Sequence, residues 1–221
     1  MKLLIFDTET TGLPRYRKAR VQDTHDWPFI VQLSWIVYDA SMNKLEKVRD
    51  EVVHLPPGLG ICKESTKIHG ITNKRMLAEG VDIKSLLEEF ISDVKRCKIL
   101  IAHNIEFDRK VIMVEQIRNG MKEKELLQSL RKKEYCTMKE SIPLCNIMAK
   151  NPYTGEMEKK FPKLSELHYH QFGTIPSGLH NSLIDILVCF RCFGKLYWDV
   201  DILTKNRQLN ELYLELCTKT V

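Results

Sequence analysis

The order of elements in this sequence predicts one α/β domain, with an antiparallel meander first and helices after it. Three observations carry that prediction. A short, fully apolar run, Leu3 to Phe6, reads as a buried strand. Two more strand-like runs follow, Ile30 to Tyr38 and Lys47 to Leu55, joined by a turn around Ser41 to Lys44 and ended by Pro56-Pro57-Gly58. Later stretches place apolar residues at helical spacing, as at 83, 86, 87, 90, 91 and 94.

A polar, basic loop from Pro14 to about Pro28 separates the first two strands. A brief helical piece, Ser65 to His69, ends at Gly70, and Ile83 to Cys97 forms a helix. Ile99 to Ala102 is a second short apolar strand, and Glu106 to Arg118 is a helix stopped by Asn119-Gly120. Glu123 to Arg131 reads as an exposed helix, Glu134 to Cys136 as a short edge strand and Thr137 to Ile142 as a short helix. After a turn at Asn151 to Gly155, Leu164 to Phe172 is a helix capped by Gly173. His180 to Trp198 is the longest apolar-periodic helix, and the last 20 residues form another.

At 221 residues, 43% hydrophobic and 29% charged, the chain has the composition of a soluble globular protein. A net charge of +5 is compatible with a nucleic-acid partner without requiring one. The seven cysteines, an odd number without framework spacing, are expected to be reduced in an intracellular protein, cytoplasmic or nuclear. There is no signal-peptide pattern, and no apolar run approaches the roughly 20 residues that span a bilayer, so no membrane partner is expected.

Asp7 and Glu9 follow the first apolar run directly. Side chains alternate along a strand, so both emerge on one face at its end. Two carboxylates beside a core repel each other and resist desolvation, and a hard divalent cation removes that cost. The theme recurs. AHNIEFD carries Asp108 into the first turns of a helix, and GLHNSLID places His180 at the mouth of the last long helix with Asp185 on it. Four acids arriving from a strand end and two helices suit two Mg²⁺ or Mn²⁺ ions about 4 Å apart, and a neutral histidine beside them can take a proton from water.

The segments FDTETTG, AHNIEFD and HNSLID, in this order and at these separations, resemble the DEDDh 3′–5′ exonucleases, the family of DNA polymerase III epsilon-type proofreading nucleases. The resemblance covers about residues 2 to 198 and includes IHGIT at 68–72, with CTMKES and FPKLSEL as linking segments. It implies an RNase H-like fold whose five-stranded mixed sheet holds the first acids on a central strand. It assigns Asp7, Glu9, Asp108 and Asp185 as metal ligands and His180 as general base. The tyrosine subclass is excluded, because Asn181 stands four residues before the last acid. The implied reaction releases nucleoside 5′-monophosphates from a 3′ end, with Glu9 also accepting a hydrogen bond from the terminal 3′-hydroxyl. Thr10 and Thr11 are expected to offer backbone N–H groups to the last nucleotide, and Leu13 to wedge against its base. Phe107 has two readings, base contact or core packing. So does His69, a substrate-side histidine or a helix-end hydrogen bond. Asn104 is expected to tether backbone or phosphate rather than metal.

Arg15, Arg17, Lys18 and Arg20 put four cations in six residues beside this site, either to hold a phosphate backbone or as a solvated loop. Cys189 and Cys192 form a lone CxxC that reads as core packing, and His168 and His170 read as surface residues. The substrate expected is DNA, favoured over RNA, with single-stranded or mismatched 3′ ends. The same chemistry on RNA or short oligonucleotides is the alternative, and a catalytically silent polymerase-docking module a second. Any polymerase would bind in trans. Residues 1–198 are expected to form the exonuclease domain and 199–221 a helical extension packed on it or trailing it.

Overall fold

The computed structural model describes residues 1–122, 125 and 127–217. Its centre is a five-stranded sheet in the order β3-β2-β1-β4-β5, built from β1 (Lys2–Thr10), β2 (Ile30–Asp39), β3 (Lys44–Val52), β4 (Ile99–Ala102) and β5 (Lys133–Cys136). The first three strands pair antiparallel, and β4 and β5 add to β1 in parallel. The antiparallel start and parallel finish are those expected of an RNase H-like α/β fold.

The pleat of β1 divides the core in two. Leu4 and Phe6 face α3 (Ile83–Arg96) and α4 (Ile105–Arg118), where Leu87, Phe90 and Val111 are fully buried. Leu3 and Ile5 face α8 (Ser182–Trp198), against Ile186, Phe190 and Phe193. Both faces of β1 are covered, which is why its apolar run is continuous rather than alternating. The terminal helix α9 (Arg207–Cys217) buries Leu209, Tyr213 and Cys217 in the α8-side core. Residues 218–221 lie outside the described residues.

The remaining helices are α1 (Lys63–His69), α2 (Asn73–Glu79), α5 (Thr137–Glu140), α6 (Ile142–Cys145) and α7 (Leu164–Phe172). A small hairpin, β6 (Met148–Lys150) with β7 (Met157–Lys159), stands apart from the main sheet. α2 and the hairpin carry no strong pattern: α2 buries only Met76, and both hairpin strands are exposed, so neither shows an amphipathic period. The helix expected over Glu123 to Arg131 lies partly outside the described residues, and its described part is a 3-10 turn at Leu127–Leu130. His168 is fully buried rather than superficial. Its Nδ1–H donates to the Thr174 carbonyl at 2.8 Å, and its Nε2 accepts from the Tyr213 hydroxyl at 3.0 Å. Cys189 and Cys192 are buried in the α8 core, and every cysteine is free.

The long β1–β2 connection is pinned from α4. The Arg118 guanidinium lies 3.8 Å from the Phe29 ring centroid and donates to the carbonyls of Thr24, Trp27 and Pro28. On the α3 side, Asp93 accepts from the Trp35 indole N–H at 2.8 Å, Lys47 at 2.7 Å and Arg96. Burial opposes the Asp93 charge, but the bonds from Lys47, Trp35 and Arg96 outweigh it and hold the carboxyl below its usual range. Asp93→Ala is expected to cost about 2–4 kcal/mol, because a buried indole N–H loses its partner and Lys47 is left with Glu89 alone. Urea unfolding measures this, and a cost under about 1 kcal/mol would show that water replaces the carboxylate.

Candidate active site

β1 carries Asp7 and Glu9 on the α8-side face, in register with Ser34 and Gln32 of β2. The strand runs on to Thr10, so the two acids lie within it rather than just past its end. α8 docks at this point. Ser182 Oγ donates to the Asp7 carbonyl at 2.7 Å, and Ser182 N–H donates to Gln32 Oε1 at 3.3 Å. Asn181 caps the helix by accepting from the N–H groups of Leu183 and Ile184. That fixes Asp185 in the first turn, where its Oδ2 accepts the His180 backbone N–H at 3.1 Å. Asp7, Glu9 and Asp185 thereby offer three carboxylate oxygens within 4.8 Å of one another.

Asp108 arrives from the other side of the sheet. Asn104, at φ 66°, starts α4, and Asp108 lies in its first turn. The parallel pairing of β1 with β4 stops at Ile5, leaving that edge of β1 open beyond it. There Asp108 Oδ1 accepts from both the N–H of Thr8, at 3.0 Å, and its hydroxyl, at 2.8 Å. One oxygen of Asp108 is thus committed to the strand, and this acid stands outside the tight group of three.

All four acids and His180 line one cavity of about 520 Å³. Burial is the main cause that raises every one of the four carboxyls, and mutual repulsion adds to it at Asp7, Glu9 and Asp185. Glu9 is pushed up to about 8. Among the described residues no lysine or arginine forms an ion pair with any of them. An unneutralised set of hard oxygen donors fits divalent cations such as Mg²⁺ or Mn²⁺.

This electrostatic strain has a measurable sign. Between about pH 4 and pH 8 the folded, metal-free protein holds protons that the unfolded chain has already released. Its stability is therefore expected to fall as pH rises through that window, and Mg²⁺ or Mn²⁺ should restore it most strongly near pH 8. Thermal melts in EDTA and in divalent metal are expected to separate by roughly 5–10 °C at pH 8 and to converge near pH 5. A separation independent of pH would count against the carboxylates as the metal site.

Of the other expected residues, Leu13, Asn104 and Phe107 line the cavity; Leu13 is 81% exposed. Thr10, Thr11 and His69 do not. Thr11 cannot offer its N–H to a nucleotide as expected, because that group donates to the Phe29 carbonyl at 2.9 Å. The Thr10 hydroxyl donates to Gly12 O at 2.6 Å. His69 is buried, and its Nδ1 accepts the Ile71 N–H at 3.1 Å, the helix-end role. Arg15, Arg17, Lys18 and Arg20 are exposed on the pinned loop outside the cavity. Sequence reasoning missed Thr8 and Ser182, which seat Asp108 and α8, and His103, Phe161 and Lys163, which also line the cavity. Thr8 lies between the two acids of β1, and Ser182 follows the capping Asn181 directly. Those positions were the available signals.

A family model described as RNase_T, exonuclease, matches residues 4–193. DNA polymerase III subunit epsilon of Buchnera aphidicola subsp. Acyrthosiphon pisum (strain APS) is 27% identical over 107 residues, covering 48% of this chain and 41% of that protein. Escherichia coli exonuclease I in complex with a dT13 oligonucleotide shares the fold with a TM-score of 0.63 at 15% identity, over 97% of this chain and 44% of that one. The zinc-bound form of the exonuclease I–ssDNA complex gives 0.63 at 16% identity, over 96% and 42%. The matches thus take in less than half the length of each of these proteins.

Proposed function

The chain belongs to the RNase_T exonuclease family, and from that premise we propose that it hydrolyses the 3′-terminal phosphodiester of DNA, at single-stranded or mismatched ends, releasing nucleoside 5′-monophosphates. The observation that carries this reading is the cluster of Asp7, Glu9 and Asp185 within 4.8 Å, with Asp108 lining the same cavity and, among the described residues, no lysine or arginine ion-paired to them. Two divalent ions held by these four acids would supply charge neutralisation at the scissile phosphate. His180 is exposed and lines the same cavity, and its backbone N–H is tied to Asp185. It accepts the proton of the attacking water. Water adds to phosphorus, the bond to the 3′-oxygen of the preceding nucleotide breaks, and that oxygen leaves with a proton. Glu9 accepts a hydrogen bond from the terminal 3′-hydroxyl, restricting attack to chain ends. Leu13 and Phe107 give the terminal base apolar surface.

The DNA choice and the proofreading setting draw on the relatives: exonuclease I is seen with single-stranded DNA, and the epsilon relative is named as a polymerase subunit. A polymerase partner in trans belongs to this proposal. So does an intracellular setting, which suits seven free cysteines. No described helix is long and apolar enough to cross a membrane.

The test is cleavage of 5′-labelled single-stranded DNA, 3′-mismatched duplex and RNA, with Mg²⁺, Mn²⁺ or EDTA. Stepwise shortening of DNA from the 3′ end that stops in EDTA is expected. Preference for RNA would move the substrate, and metal-independent cleavage or none would overturn the proposal.

A further inference from the structure

We propose that Phe161 is a stacking platform for an unpaired nucleobase of the bound strand, and so a determinant of single-strand preference. This inference rests on the exonuclease reading above. Phe161 lines the same cavity as the four acids and is 53% exposed. Among the described residues its ring pairs with no other aromatic ring and joins none of the apolar clusters.

The backbone around this ring is held firmly. On one side, Lys160 N–H donates to the Ile147 carbonyl at 3.0 Å, extending the β6–β7 hairpin, and Lys160 Nζ pairs with Glu166. On the other, Lys163 N–H donates to Glu166 Oε2 at 2.8 Å. Between them, the Pro162 carbonyl accepts from His103 Nε2 at 3.0 Å, while His103 Nδ1 accepts from the Thr137 hydroxyl at 3.0 Å. A carbonyl can only accept, so Nε2 carries the proton. Burial pushes the His103 ring down to about 4, keeping it neutral and the tether intact at working pH.

A half-exposed ring on a held backbone offers an apolar face that a ligand can cover, and burying that face is favourable. What the cavity admits is a strand end. The acids take its phosphate, Lys163 puts a cation among the lining residues, and Leu13 and Phe161 supply the cavity's two most exposed apolar side chains. Bases present flat apolar faces whatever their identity, so a ring here grips without reading sequence. A base already paired and stacked in a duplex cannot reach it, and this favours frayed or single-stranded ends.

The experiment is steady-state cleavage of dT oligomers by the native protein, Phe161→Ala and Phe161→Trp, using intact substrates and a set lacking one base at each of the last four positions. Phe161→Ala is expected to raise KM about tenfold, the worth of one stacked base, with the loss on KM rather than kcat. Phe161→Trp should restore it. In the native protein one abasic position should cost the same factor, and Phe161→Ala should be indifferent to that position. Tyr169→Ala, at an exposed aromatic outside the cavity, should keep the native KM. An unaltered KM in Phe161→Ala, or an abasic profile identical to the native one, would overturn the inference while leaving the exonuclease reading intact. A native protein that cuts no oligonucleotide overturns both.

Discussion

Asp7→Asn is expected to lose turnover by roughly 10³-fold or more while making the metal-free protein more stable at pH 8. Both effects have one cause. Asp7 shares with Glu9 and Asp185 a group of carboxylate oxygens within 4.8 Å of one another, and its carboxyl is raised by burial and by repulsion from Asp108, Asp185 and Glu9. Asparagine keeps the shape and removes a charge that only a cation offsets, so the empty site relaxes while the metal loses a ligand. The Ser182 bond goes to the Asp7 backbone carbonyl, so α8 stays docked in the variant. Activity assays paired with thermal melts in EDTA give the answer. A variant that loses activity and stability together would point to a damaged fold, and one that keeps near-native activity would remove Asp7 from the ligand set.

His180→Ala is expected to lower kcat/KM by about 10²–10⁴-fold, the usual worth of a general base. The residue sits at φ 70° on the approach to α8, and Asn181, not His180, caps the helix. Its ring is therefore free of structural duty, and the variant should melt like the native protein and bind DNA with native affinity. Added imidazole should recover part of the lost rate. A loss of DNA affinity as large as the loss of rate would make His180 a binding residue instead.

The regular elements were legible where the pattern was strong. β4 at Ile99–Ala102 and α7 at Leu164–Phe172 have the bounds expected of them, because an all-apolar run and a glycine stop at Gly173 mark them. His168 was misread because its partners, Thr174 and Tyr213, come from other elements. A histidine on a short helix gives no sign of them. Thr11 was misread for a related reason: the long connection folds back and spends its N–H on Phe29.

The sequence by itself determined the candidates for the site: four acids, a histidine and the Asn181 cap that places Asp185 one turn into its helix. Those are local matters of strand alternation and helix capping, written within a few residues. Only the tertiary structure decided how the acids divide. Asp7 and Glu9 share the α8 face with Asp185, whereas Asp108 comes from the α4 side and is held at the open edge of β1 by Thr8. The tertiary structure also brought Phe161 to the cavity and set the His103 ring against the Pro162 carbonyl beside it, contacts that neither segment's own pattern predicts. Such placement depends on which faces of one sheet two distant helices cover, and no local sequence pattern contains that.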